Sequence, residues 1–191
     1  MAKLVLCSQS PRRQELLRQM GVSDFDVRVP QMEETVPQGL SPRETVERIS
    51  REKAAGAQEL CGPGEVFLTA DTMVFLDGER LGKPRDEADA LRMLTALQGR
   101  EHSVCTGVTV GQGNTLLTRS EETLVRFLPA TEERLRRYIA SGEPMDKAGA
   151  YGIQGLGAVL VEGIRGDYSN VVGLPIPLLA EMLREFGIPV L

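Results

Sequence analysis

The sequence predicts an α/β protein with an elongated mixed β-sheet flanked by helices, in two lobes. Three observations lead there. Short apolar runs alternate with helical patterns along most of the chain. A long alternating hairpin, Glu101–Val110 with Leu116–Leu128, interrupts that rhythm and adds antiparallel strands. No G-x-G-x-x-G follows the first strand and no P-loop lysine motif exists, so the pattern does not describe a dinucleotide-binding fold. The 191 residues, 41% hydrophobic and 26% charged, can bury a sizeable core, and a single domain over 1–191 is expected.

The elements follow from local signals. Leu4–Cys7 is a buried strand, and Pro11–Met20 a helix with Ser10 as N-cap, proline in its first turn and Gly21 as its stop. Phe25–Val29 alternates as a second strand and leads to a polar turn containing Glu33 and Glu34. Ser41-Pro42-Arg43-Glu44 is a capping box, starting a helix to about Leu60 that carries Lys53. Gly62-Pro63-Gly64 breaks the chain before the strand Val66–Leu76, and Asp77-Gly78 is a turn signal. Asp86 caps a helix through Leu97, ended by Gly99. After the hairpin, joined by Gly111-Gln112-Gly113-Asn114, Thr131 caps a helix through Ile139 with acidic residues in its first turn, ended by Gly142. Seven of the 25 residues from Gly149 to Gly173 are glycine, so the backbone there turns tightly or approaches something closely. A last helix spans Ile176–Phe186 and stops at Gly187.

Bulk properties exclude several classes. A net charge of −5 and eight aromatic residues argue against nucleic acid as a partner. Three widely spaced cysteines fit neither a disulfide framework nor a zinc site and favour a reducing compartment. The N-terminus lacks a signal-peptide layout and no run of 18 apolar residues exists, so a cytoplasmic protein with no membrane partner is expected. Arginine outnumbers lysine 18 to 4, which singles out Lys53, Lys83 and Lys147 as places where a compact point charge is used against the chain's habit.

Chemistry-bearing residues each have a functional and a plain reading. Arg12 and Arg13 sit in a first helical turn, where positive charge opposes the dipole by roughly 0.3–1 kcal/mol each. An anion held by the helix N–H groups, Ser8, Ser10 and both guanidinium groups would reverse that penalty; two solvated arginines after an ordinary cap are the alternative. Asp71-Thr72 interrupts an apolar strand, as a metal ligand or general base, or else as a loop-capping aspartate. Glu33 and Glu34 offer a second carboxylate for Mg²⁺, or form a solvated acidic turn. Lys53 fits an exposed helix position as well as a site, whereas Lys83 lies in a rigid Gly-Lys-Pro loop and Lys147 can simply pair with Asp146. Gln154 can give a donor and an acceptor to a nucleobase edge, or serve the loop. His102, the only histidine, is read as structural, which disfavours a histidine-relay hydrolase; Ser8 and Ser10 lack a G-x-S-x-G setting.

Taken in order, SQSPRRQELL (8–17), REKA (51–54), ADTMV (70–74), LGKP (81–84), Thr106-Gly107-Val108, SGEPMDKAGAYGIQG (141–155) and NVVGLP (170–175) resemble the Maf family of nucleoside triphosphate pyrophosphatases. The resemblance implies one Maf-like domain, α/β in fold and inosine triphosphate pyrophosphatase-like, with a cleft between two lobes. It implies a cytoplasmic enzyme dependent on Mg²⁺ or Mn²⁺, often a homodimer, that cuts a nucleoside triphosphate to the monophosphate and pyrophosphate. Asp71 then matches the general base, with Lys53 and Lys83 beside it. Arg12, Thr72 and Gln154 match the base-specificity positions of the dTTP/UTP subgroup, Ser8 and Arg13 bind substrate, and Glu34 or Glu33 joins Asp71 at the metal. Cys7, Gln9 and Thr69 depart from the family pattern, and the acidic loop leaves the register of Glu33 and Glu34 open. The rival from another class is a regulatory nucleotide-binding protein, affecting cell division or septum formation with little turnover.

Overall fold

A computed structural model describes residues 2–31 and 35–190. In chain order its elements are β1 (Leu4–Leu6), α1 (Pro11–Gln19), β2 (Phe25–Val27), α2 (Pro42–Leu60), β3 (Val66–Leu76), β4 (Glu79–Leu81), α3 (Glu87–Leu97), β5 (Glu101–Gln112), β6 (Thr115–Phe127), α4 (Glu132–Ile139), β7 (Val161–Arg165), α5 (Tyr168–Val172) and α6 (Ile176–Glu185). Among the described residues the strands form one sheet in the order β2-β1-β3-β5-β6-β7, with β4 also on β3. β1 runs parallel to β2 and β3, whereas β4 and β7 run antiparallel to β3 and β6, so the sheet is mixed as the sequence predicts. None of the helices described is long and apolar enough to cross a membrane.

The chain gathers into two compact units. The first holds the chain through Asp71, Thr106–Glu121 and everything from Gly173 on. Its β1 is buried throughout, and β3 is buried at every position but Thr72, the signature of a central strand covered on both faces. The capping box at Ser41 forms as read, with the Glu44 carboxylate 2.9 Å from the Ser41 N–H. A cap is worth about 1 kcal/mol, and full burial of a side chain such as Phe67 about 2–3 kcal/mol. The cap therefore sets where α2 begins, and packing sets where it lies. Ala54 and Ala57 rest on Val5, Cys7 and Phe67, and a Cβ at Gly107 would overlap the Val46 carbonyl. Small residues on both sides let helix and sheet approach closely.

The second unit holds Thr72–Cys105 and Glu122–Val172. Asp77 and Gly78 take positive φ of 53° and 81°, the hairpin turn their sequence signals, and pair Leu76 with Glu79. The strand after that turn, β4, has three residues, too few to print a period on the sequence. Asp86 caps α3 by accepting from the Asp89 N–H at 2.8 Å, and Thr131 caps α4. Leu94, Leu97, Val125, Phe127, Leu135, Tyr151 and Leu160 form the centre of this unit's core.

The largest departures from the sequence reading lie in the glycine-rich run. It contains β7 and α5 as well as a 3-10 segment, Leu156–Leu160. β7 is mostly exposed and has no apolar alternation; its pairing with β6 makes it a strand. The hairpin link shortens to Gly113-Asn114, because β5 and β6 each extend further than read. Ser10 occupies the N-cap position of α1, but its side chain makes no capping hydrogen bond.

Candidate active site

In the first unit, β3 and α2 deliver an ion pair. Lys53 Nζ stands 2.8 Å from Asp71 Oδ1, with both side chains largely buried. The register is set by a neighbouring bond: the Thr69 hydroxyl donates to the Ser50 carbonyl at 2.7 Å. Thr69 and Asp71 share a strand face, and Ser50 and Lys53 share a helix face, so one contact fixes the other. Thr69, a departure from the family pattern, thereby ties α2 to the strand. Ser50 Oγ also lies 2.9 Å from Thr109 Oγ1. Asp71 Oδ2 is buried and has no hydrogen-bond partner among the described residues. Such an orphan costs roughly 1–3 kcal/mol or more for a charged group, and it fits a carboxylate awaiting a proton donor or a cation.

The loop after β1 lies beside this pair. β1 ends at Leu6, and the Cys7 N–H takes the Leu68 carbonyl at 2.8 Å. Carbonyls alternate along a strand, so the next one on that edge belongs to Ala70, beyond the reach of β1. Arg13 takes it: one terminal nitrogen donates to the Ala70 carbonyl at 2.9 Å and to Ser8 Oγ at 3.1 Å. Its Nε donates to the Gly173 carbonyl at 2.9 Å. Gly173 has φ of 134°, a conformation closed to side chains, which accounts physically for the glycine of NVVGLP. Arg13 therefore cross-links the α1 start, the β3 edge and the α6 approach, in addition to any ligand it meets. Ser8 and Arg13 are thus joined to the backbone one residue before Asp71, and Lys53 to Asp71 itself. Arg12 is half-buried, with no described partner, and Glu33 and Glu34 lie outside the described residues.

The remaining site candidates belong to the second unit. Thr72 follows Asp71 along β3 and is half-buried. Lys83 is exposed, and the carbonyl of its neighbour Gly82 accepts from the Gly149 N–H at 3.1 Å, which pins this loop to the segment leading to Gln154. Lys147 takes its plain reading, 2.8 Å from Asp146 Oδ1, and also donates to the Glu143 carbonyl. His102 is structural as read: it is buried, with Nε2 2.7 Å from the Tyr151 hydroxyl, and burial pushes its pKa down to about 4.

Gln154 is exposed in a tight turn closed by Gly155 N–H to Gly152 carbonyl, 3.4 Å. Two residues to which sequence analysis assigned no role hold that turn. The Glu143 carboxylate accepts from the Leu156 and Gly157 N–H groups at 2.8 and 2.9 Å and from the Tyr138 hydroxyl at 2.9 Å. Tyr138 in turn accepts from the Gly152 N–H at 3.1 Å. Burial would raise the Glu143 pKa, but these donors hold it below its usual value. The spacing of glycines at 152, 155 and 157 was the available signal for a close approach.

A family model described as Maf-like protein matches residues 3–186. The chain is 52% identical over 190 residues to a dTTP/UTP pyrophosphatase of Symbiobacterium thermophilum, covering 100% of this chain and 97% of the relative. It is 47% identical over 188 residues to a dTTP/UTP pyrophosphatase of Bacillus pumilus, covering 98% of each. Among solved structures, a HAM1 protein from Coxiella burnetii aligns with 19% identity and a TM-score of 0.49, over 97% of this chain and 100% of that one.

Proposed function

The chain belongs to the Maf family, and from that premise we propose that it hydrolyses nucleoside triphosphates, dTTP and UTP foremost, to the monophosphate and pyrophosphate. The observation that carries the reading is the Asp71 carboxylate, with one oxygen on Lys53 and the other buried and without a hydrogen-bond partner among the described residues. Cleavage of this kind needs positioning and charge neutralisation more than covalent chemistry. Asp71 orients or deprotonates a water that attacks the α-phosphorus in line, and pyrophosphate leaves. Lys53 orients Asp71 and, with Lys83, counters the charge of the phosphate chain. Ser8 Oγ accepts from Arg13 and from the Ser10 N–H, which directs its own proton toward a phosphate oxygen.

A divalent cation, Mg²⁺ or Mn²⁺, belongs to this reading. The orphaned Asp71 oxygen fits a hard cation that keeps several waters. Among the described residues no group of three or more His, Cys, Asp or Glu could hold one. Asp71 would therefore be joined by Glu34, or by Glu33. When bound, the cation would neutralise phosphate charge and acidify water.

Arg12, Thr72 and Gln154 read the pyrimidine. The Gln154 amide offers one acceptor and one donor, which match the N3–H and O4 of uracil and thymine. A 5-methyl group alone discriminates by only about 1–3 kcal/mol, so UTP and dTTP are both accepted. The same reading makes 1–191 one functional domain, acting in the cytoplasm on a nucleotide rather than on a nucleic acid or a membrane; sedimentation tests the homodimer that the family resemblance allows. Pyrophosphate release from UTP and dTTP with Mg²⁺, compared with Asp71→Asn, tests the core of it. Loss of a general base predicts a fall in kcat of about 10²–10⁴-fold with KM little changed. Unchanged release in Asp71→Asn refutes the assignment, and tight binding without release favours the regulatory alternative.

A further inference from the structure

We infer that Glu143 and Tyr138 are positioning residues for nucleobase selectivity, holding the turn that carries Gln154; the inference rests on Gln154 reading the base. Among the described residues no hydrogen bond of its own fixes Gln154 in place. The turn is short and flanked by glycines, with Gly152 and Ile153 half-buried and Gln154 and Gly155 exposed, and a loop of that kind has little intrinsic order. Its order is imported from below. The Glu143 carboxylate gathers the two N–H groups that follow the turn, at Leu156 and Gly157, and Tyr138 gathers the one that precedes it, at Gly152. The hydroxyl-to-carboxylate bond joins the two grips, so both ends of the turn hang from one pair.

The close fit explains the glycines. A Cβ at Gly155 would overlap the Glu143 carboxylate, and a Cβ at Gly157 would overlap the Gly152 carbonyl and the Tyr138 hydroxyl. The clamp is itself secured. Tyr138 is buried on α4, and Lys147 Nζ donates to the Glu143 carbonyl at 2.8 Å. Glu143 accepts three hydrogen bonds on two oxygens, so a carboxamide in its place would turn an N–H₂ group toward a backbone or hydroxyl donor. Such a mismatch displaces the turn without touching substrate.

The test measures kcat and KM of the full chain on UTP, dTTP and CTP. It compares Glu143→Gln, Tyr138→Phe, Gln154→Ala and the Glu143→Gln/Gln154→Ala double variant, with amide exchange followed over residues 152–157. Cytosine presents a donor where uracil presents an acceptor, so the UTP-to-CTP ratio of kcat/KM reports on Gln154. Glu143→Gln is expected to lower that ratio by about 10–100-fold, mainly through KM, as misplacement by about 1 Å does. It should match Gln154→Ala, and the double variant should lose nothing further. Tyr138→Phe should lower the ratio by about 3–10-fold and carries the same test if Glu143→Gln fails to fold. Faster exchange at 152–157 with an unchanged ratio overturns the inference, as does a double variant whose losses multiply in full. A Gln154→Ala ratio equal to wild type overturns the base-reading assignment and this inference together, whereas intact Gln154 dependence with inert Glu143→Gln and Tyr138→Phe overturns this inference alone.

Discussion

The group around Asp71 and the turn around Gln154 are built by opposite means. Asp71 and Lys53 stand on a buried strand and a long helix, and their meeting is fixed by the register of those elements. Gln154 stands on a glycine-flanked turn, and its place is fixed by side chains that bind backbone N–H groups. The first arrangement tolerates little displacement, as the proposed action of Asp71 and Lys53 on one phosphorus atom requires. The second can be re-aimed by changing a clamp, which suits the base selection proposed for Gln154. Damage to the first region should therefore remove turnover and stability together, and damage to the second should alter preference before it alters turnover.

Arg13→Ala breaks the first region at the largest expected scale. It removes the Arg13 donors from the buried Ala70 and Gly173 carbonyls and from Ser8 Oγ, which keeps the Ser10 N–H, and each lost partner for a buried acceptor costs roughly 1–3 kcal/mol. Stability should fall by about 4 kcal/mol in denaturant titration, and kcat/KM by about 10³-fold. Arg13→Lys should rescue little, because an ammonium cannot reach three acceptors in the directions a guanidinium fork does. A variant that loses activity at full stability would make Arg13 a pure ligand-binding group and remove the cross-link from the comparison.

How much was legible follows the same division. β3 was read to the residue, α2 from its capping box, and the hairpin from its alternation, because regular elements print their periods on the sequence. Asp71 stood out as a carboxylate in an apolar run. The links of Arg13 to Ala70 and Gly173 did not, since backbone carbonyls leave no mark in residue identity. β7, α5 and the Glu143 clamp were hidden for a related reason. They lie where pairing and long-range hydrogen bonds, rather than apolar spacing, define the structure. Arg12 and Arg13 are alike in charge and helix position; the family resemblance gives them different roles, and the bonds of Arg13 to distant backbone set it apart physically.

Gly107→Ala tests whether element packing alone holds the first region. The added Cβ would overlap the Val46 carbonyl, a backbone atom that cannot rotate away. α2 must move off the sheet, at about 3 kcal/mol, the upper range for overpacking. Lys53 moves with the helix, so kcat should drop while the UTP-to-CTP ratio holds. A changed ratio with unchanged kcat would reverse the roles assigned to the two regions.

His102 gives the smallest effect and the cleanest probe of the second unit, since the chain has one histidine. It is buried, edge-on to Phe127 and Tyr151 at 5.0 and 5.4 Å between ring centres. Burial pushes its pKa down to about 4, whereas the unfolded chain protonates it near 6.5. A base with a depressed folded pKa contributes stability that is full above pH 6.5 and is lost as pH falls toward 4, because only the unfolded chain takes up the proton. Linkage gives a loss of about 2 kcal/mol between pH 7 and pH 5. Denaturant titrations at the two pH values check it, with His102→Gln expected to flatten the difference. Tyr151, its hydrogen-bond partner, lies three residues before Gln154, so acid should also lower the exchange protection factors of the 152–157 amides in the wild type, with intrinsic rates corrected for pH, and leave those of the Asp71 strand unaffected. Equal acid sensitivity in β3 would mean that the two regions share one stability, and the contrast between a register-held and a clamp-held site would fail.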